Sequence, residues 1–396
     1  MDYFDNLRYT KEFFYGWKKR DGFTGGFGIC LGQRCGARDE RGMRKSIAVS
    51  MILSVIFAVV LTTLCCVLSH QIIRWMKIPA DIAEEAYAYM FVVLLGTGAT
   101  VFYNMISNIL RALGDSKTPL YFLVFSSVLN IFLDILFILP LGMGVAGAAW
   151  ATILSQFLSA VLSLIVGMRR FEVLHLKKDD FANLGNAMTV HLKTGFPMGF
   201  QMSVMCIGQL AMQMVVNSLG TAAVAGYTAA SKADQLSVLV NNAMMTAISN
   251  YVAQNFGAGK KERIQQGVRA SLIQTETFNL LMCVGILLLR HPIVELFMSS
   301  PTKEIYHYSD VYLTIVAPFY IVLGLLAVYR TAIQSMQNGW APFAACMIEL
   351  VTRISATVGL VGMLGYTSVC IASPMAWFGA CALLIPCYYR MMKAWK

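Results

Sequence analysis

The chain has 396 residues, of which 57% are hydrophobic and only 13% charged. That is about half the charge of a soluble domain, and mean hydropathy is +0.62. Too little polar surface exists to cover a water-soluble body of this length, and disordered, collagen-like and coiled-coil chains are excluded by the high apolar content and the lack of a triplet or sustained heptad.

Residues 1–22 carry Arg8, Lys11, Lys18, Lys19 and Arg20 and no apolar run, so they are neither a span nor a signal peptide. Ten later segments reach the roughly 20 mostly apolar residues needed to cross a bilayer. They are 46–68, 86–109, 119–140, 145–168, 195–217, 221–252, 270–289, 309–333, 342–363 and 367–389. Alternating these spans from an inside N-terminus places 24 of the 31 Lys and Arg on the inner side and four outside. Lys232, Arg330 and Arg353 remain within spans. This positive-inside bias predicts a multi-pass protein of the plasma membrane with both termini cytoplasmic. The net charge of +10 then faces anionic lipid, and no nucleic-acid partner is expected. Ten cysteines without a CxxC pair give no disulfide framework and no zinc site. No Walker A loop, HExxH or GxSxG pattern occurs, so the sequence predicts neither an enzyme nor a bound cofactor or metal.

Two sequence frames recur. Gln33-Arg34-Cys35-Gly36-Ala37 returns as Gln254-Asn255-Phe256-Gly257-Ala258, an offset of 221, and Arg111-Ala112-Leu113 leading to Pro119 returns as Gln334-Ser335-Met336 leading to Pro342, an offset of 223. Both lie where a span meets a loop, which points to a duplication. The second copy begins near Lys193, so the partner of span 195–217 would fall before residue 1. The expectation is an all-α integral membrane protein of two homologous helix bundles, each of six-helix design, with about ten transmembrane helices retained. The boundaries read as 1–22, a basic segment foreign to the repeat; 23–185, a shortened first lobe; and 186–396, a six-helix second lobe. An even number of spans per lobe makes the two lobes face the same way.

With these stretches in view, the sequence resembles the multidrug and toxic compound extrusion (MATE) family of secondary transporters over roughly residues 23–392. The matching stretches are Gly28 to Glu40, Arg111 to Pro119, Gly144 to Ala149, Asn217 to Gly220, Ala225 to Lys232 and Gln254 to Gly259. The resemblance implies twelve spans in two six-helix lobes. It also implies export of small organic, often cationic, compounds in exchange for H+ or Na+, by alternating access through a cavity between the lobes. A monomer is expected.

Asn130 and Asp134 are four residues apart, on one face of their helix. A carboxylate beside an amide oxygen can hold Na+ or a proton, and Thr152 on the next span can add a hydroxyl. The pattern resembles the N-lobe cation site of the MATE family, with Asn108 or Ser107 as a further contributor from the preceding span. An Asp134 that merely links neighbouring helices is the competing reading. Gln209, Gln213 and Asn217 form an amide stripe with Gln201 two turns earlier, either lining a substrate cavity or joining packed helices. Lys232 either sets the charge of that cavity or pairs locally. Glu349 and Arg353, four apart, read as an ion pair, and Arg330 reads as snorkelling to a membrane edge. Arg353 falls opposite Asn130 at offset 223, which would leave the coupling ion to the first lobe alone. No acidic residue lies in 195–217 and Asp310 sits at a span edge, so an acidic second-lobe cation site is not expected. Two alternatives to a working antiporter follow from the same sequence: a remnant that inserts without transporting, and a lipid-linked saccharide flippase.

Overall fold

The computed structural model describes residues 21–75, 83–298 and 301–395; the basic segment 1–20, Lys77 and the side chain of Arg74 lie outside the described residues. The chain divides into two compact units, Met1–Gly199 and Phe200–Lys396. Among the described residues every regular element is a helix. The first unit holds α1 (Asp21–Gly36), α2 (Glu40–Trp75), α3 (Ala83–Leu95), α4 (Thr97–Ala112), α5 (Lys117–Ile138), α6 (Gly144–Arg170) and the start of α7 (Gly185–Ser218). The second holds the rest of α7, then α8 (Thr221–Gly257), α9 (Lys261–Phe297), α10 (Lys303–Val316), α11 (Tyr320–Ser335), α12 (Trp340–Leu364) and α13 (Tyr366–Ala394).

The duplication is written into the backbone. Helices α2 and α9 start 221 residues apart; α4 and α11, and likewise α5 and α12, start 223 apart. Left-handed residues pair at the same offsets: Arg38 (φ 56°) with Gly259 (φ 68°), Gly114 (φ 93°) with Gln337 (φ 64°), and Gly144 (φ 55°) with Gly365 (φ 53°). At the first two pairs the helix ends in the same way. Asp39 N donates to Arg34 O and Lys260 N to Asn255 O; Asp115 N donates to Leu110 O and Asn338 N to Ile333 O. This six-to-one closure is the Schellman ending, which turns the chain sharply into the next helix.

Among the described residues eight helical stretches are long and apolar enough to cross a bilayer. A ninth is the bent pair Tyr87–Leu95 and Thr97–Ala112, which turns by 41° at Gly96. A side chain there would collide with Ile153. The tenth segment read from sequence is α8, continuous over 37 residues. Its polar residues dilute its hydropathy, but its buried face of Ala223, Gly226, Ala229, Ala230 and Ala233 makes it an inner helix of its unit. Small residues allow that close approach. Span 309–333 is interrupted by a short turn, Ala317–Phe319, where Pro318 lacks a backbone donor. Pro197, Pro374 and Pro386 lie inside helices.

The outer faces suit lipid. Helix α5 exposes Val128, Ile131, Phe132 and Ile135, and α2 exposes Val55, Val59, Val60 and Val67. Water would penalise such continuous apolar faces, whereas hydrocarbon does not. The first unit packs Phe27 and Leu31 of α1 against Ile47 and Val49 of α2 and Ile106 and Leu110 of α4. The second packs around Leu313, Tyr320, Ile333 and Leu384.

Candidate functional site

Within the first unit, α5 turns one polar face away from its apolar surface. Asn130 and Asp134 are both half-buried on it, while Ile131 and Ile135 beside them are exposed. Asn130 Nδ2 donates to Thr152 Oγ1 on α6 at 3.4 Å. The Thr152 hydroxyl donates back to Ala148 O at 3.1 Å, which fixes its lone pairs toward α5. One turn further along α6, Gln156 Oε1 accepts from Thr100 Oγ1 of α4 at 2.7 Å. Tyr89 of α3 lies within electrostatic reach of Asp134. Four helices thus bring a carboxylate, two amides, two hydroxyls and a phenol into one region at membrane depth. Such polar groups are costly in hydrocarbon and persist where they meet partners or a ligand. Carboxylate, amide and hydroxyl oxygens are the hard donors that suit a proton or an alkali cation.

The structure brings Asn130, Asp134 and Thr152 together but keeps Asn108 apart. Asn108 sits near the far end of α4, where its Nδ2 donates to Thr24 Oγ1 at 3.1 Å and its Oδ1 accepts from Arg111 at 3.0 Å. Helix rise separates that level from Asn130 and Asp134 by about 15–20 Å. Spacing within one helix was legible in sequence; the level of a neighbouring antiparallel helix was not. Gln156 and Thr100 were missed, although Gln156 follows Thr152 by four residues and could have been found as an amide on the same face. Tyr89 carries no comparable sequence signal.

In the second unit the amides divide. Gln201 is buried, and its Oε1 accepts from Gln334 Nε2 at 2.7 Å. Gln213 Nε2 donates to Asn217 Oδ1 at 2.8 Å, and Gln209 and Asn217 are exposed on the surface of α7. Lys232 is half-buried and makes no ion pair among the described residues. Asp310 is held by His291 at 2.9 Å and Arg290 at 3.6 Å.

Two charge assignments need correction. Glu349 pairs with Arg330 of α11, not with Arg353 one turn away on its own helix. Arg330 therefore does not snorkel; its side chain is 8% exposed and that of Glu349 3%. A cross-helix partner buries both charges, whereas an i, i+4 pair on one helix would leave them at its surface. Arg353 is also buried, with its Nε lacking a hydrogen-bond partner.

Outside the spans, the Asp115 carboxylate accepts from four donors. Burial works against it, but the Thr118 amide and hydroxyl, Arg170 and the Lys117 amide outweigh burial and hold it below the usual carboxylate range.

A family model described as MatE matches residues 22–136 and 197–358. The chain is 30% identical over 380 residues to "Probable multidrug resistance protein YpnP" of Bacillus subtilis, covering 92% of this chain and 81% of that protein. It is 27% identical over 328 residues to "Probable multidrug resistance protein NorM" of Thermotoga maritima, covering 82% and 70%. Among solved structures it is similar to an outward-facing multidrug resistance MATE family transporter of the MOP superfamily, with a TM-score of 0.91 at 23% identity over 99% of this chain and 88% of that one. A MOP superfamily transporter from Pyrococcus furiosus also gives a TM-score of 0.91 at 23% identity, over 98% and 88%.

Proposed function

The chain belongs to the MatE family, and from that premise we propose that it exports small organic, often cationic, compounds across the plasma membrane by alternating access in exchange for H+ or Na+. The observation that carries this reading is Asp134, a carboxylate at membrane depth grouped with Asn130 and Thr152. In this reading the coupling cation binds at Asp134. It is shared with the Asn130 carbonyl and the Thr152 hydroxyl, and Tyr89, Thr100 and Gln156 complete the polar surroundings. An exchanger needs a group whose charge is neutralised by the entering ion, and an intramembrane carboxylate is such a group. The relatives named for multidrug resistance support small organic molecules as cargo. The exposed polar face of α7, with Gln209, Gln213 and Asn217, and the cation of Lys232 are the groups we assign to the substrate path. Gln201 is engaged with Gln334 and is assigned to packing. Both termini are cytoplasmic in this scheme, and the working unit is a monomer.

The test is efflux of a fluorescent organic cation from preloaded cells or proteoliposomes under an imposed inward H+ or Na+ gradient. Gradient-driven efflux that disappears in Asp134→Asn is the expected result. Unchanged dye accumulation, in membranes shown to contain the protein, would overturn transport. Efflux that survives in Asp134→Asn would overturn the site while leaving transport standing.

A further inference from the structure

Helices α5 and α12 start 223 residues apart and each carries Pro as its third residue, Pro119 and Pro342. Asn130 and Arg353 are both the fourteenth residue of their helices, and Asp134 and Thr357 both the eighteenth. Equal distance from the helix start gives equal height, about 20 Å up for Asn130 and Arg353, and the same angular position on the helix. Where the first unit has an amide and a carboxylate, the second has a guanidinium and a hydroxyl.

Arg353 is 6% exposed, and among the described residues no carboxylate pairs directly with it. Its Nη1 comes so close to Gly208 of α7 that a Cβ there would lie 3.1 Å away. A lone cation at this depth is costly and demands a compensating charge. Electrostatic reach brings it one, Asp234 of α8, whose carboxylate lies first against the Tyr320 hydroxyl and whose Oδ1 has no hydrogen-bond partner. Tyr227, Tyr312 and Cys346 lie within electrostatic reach of Arg353, and Tyr312 and Tyr320 within reach of Asp234. Arg330 is already paired with Glu349 and is not free to serve Asp234.

We infer that Arg353 is a tethered cation. It stands in the second unit where the first unit binds its coupling ion, and it balances Asp234 so that this unit takes up no exchangeable cation there. The inference rests on the proposed Asp134 site and excludes an exchangeable cation only at the matched position of the second unit. Glu276 of α9, a second carboxylate there with buried oxygens, lies beside Asn279 and has no ion-pair partner among the described residues. Removing the guanidinium would leave Asp234 to recruit a cation from solution.

The experiment counts cations bound by the full chain in lipid nanodiscs, using radioactive sodium by scintillation proximity and protons by a pH-indicator dye in weak buffer. All variants carry Glu276→Gln, which removes the other buried carboxylate of the second unit, and in that background the parent chain and Arg353→Lys bind one cation per chain. Arg353→Asn doubles the count, and adding Asp234→Asn to it returns the count to one. A count that stays at one in folded Arg353→Asn overturns the inference. Asp234→Asn alone supplies an arm that does not depend on Arg353→Asn folding: its count stays at one, and a fall to zero would place the exchangeable cation at Asp234 and also overturn it. Asp134→Asn that still binds one cation would refute the first-unit site instead, so the two failures are distinguishable.

Discussion

Asp115 shows how much one side chain can fix. Its Oδ1 accepts from the amides of Lys117 and Thr118 at 3.1 and 3.0 Å, and its Oδ2 accepts from the Thr118 hydroxyl at 2.7 Å and from Arg170 at 2.8 Å. It satisfies amides at the start of α5 that would otherwise lack partners. The second half supplies an internal control: Asn338, at the equivalent position, caps the next helix through Oδ1 to Ala341 N at 3.2 Å, without a charge. Asp115→Ala should therefore cost about 1–2 kcal/mol. Asp115→Asn should cost less, about 0.5 kcal/mol, since the Arg170 it loses is exposed. The folded carboxyl is held below its ordinary value. Its stabilisation is thus complete above that ordinary value and is lost as pH falls through the lowered folded one. Melting in detergent from neutral pH to about pH 3 should show the wild-type advantage over Asp115→Ala shrinking on acidification; a constant gap would contradict this account. The Arg330–Glu349 pair makes a second prediction. Glu349→Gln leaves a buried guanidinium unpaired and should cost about 3 kcal/mol, while Arg330→Met with Glu349→Gln should recover much of it. A double-mutant cycle by thermal melting measures the coupling. Sequence revealed that these charges lie at membrane depth. It did not reveal their pairing, because spacing along one helix made Arg353 the nearer candidate while packing brought Arg330 of a different helix to Glu349.

At the scale of whole elements the sequence was more informative, and the reason is periodicity. Apolar runs of membrane length are long signals, and nine of the ten segments read from them appear as apolar spans, one of them as a bent pair. What escaped was the bend at Gly96, which depends on the approach of Ile153. Helix α8 is read as a span from its length, yet its polar residues dilute its hydropathy, with one face buried on Ala223, Ala229, Ala230 and Ala233 and another exposing Leu236 and Leu239. The repeat was legible because turn geometry restricts residue choice, so the loop frames kept recognisable residues. That geometry also gives a prediction. Gln337 holds a φ of 64° at the C-terminal end of α11, where its repeat partner is Gly114 at 93°. A side chain in this left-handed region is strained, and glycine is not. Gln337→Gly should raise stability by about 1 kcal/mol, and Gly114→Ala should lower it by a similar amount. Opposite shifts in melting temperature are the expected readout. A Gln337→Gly that melts lower would mean its side chain contributes more than its backbone costs.

For the molecule as a whole, the question is which ends of these helices share a side of the membrane. Helices of 22 residues in α5 and 27 in α6 span about 33 and 40 Å, enough for a hydrocarbon core of about 30 Å. Short connections force alternation: α4 turns into α5 over residues 113–116, and α5 into α6 over residues 139–143. The first of these loops is flanked by Arg111 and Lys117, and the second carries neither Lys nor Arg. The positive-inside rule then predicts a cytoplasmic Asp115 loop and an outside Leu141 loop. The connector carrying Lys177 and Lys178, the Lys260 turn and the Lys393 tail should fall inside by the same alternation. Single cysteines at Leu141, Asp179, Lys260 and Lys393, in a background without the native cysteines, test this directly, since the first three positions and the last are all exposed. An impermeant maleimide added to intact cells should label Leu141→Cys alone. The other three should react only after the membrane is permeabilised. Labelling of Asp179→Cys and Lys393→Cys from opposite sides would break the even span count of the second half, and with it the like-facing duplication from which Arg353 is matched to Asn130.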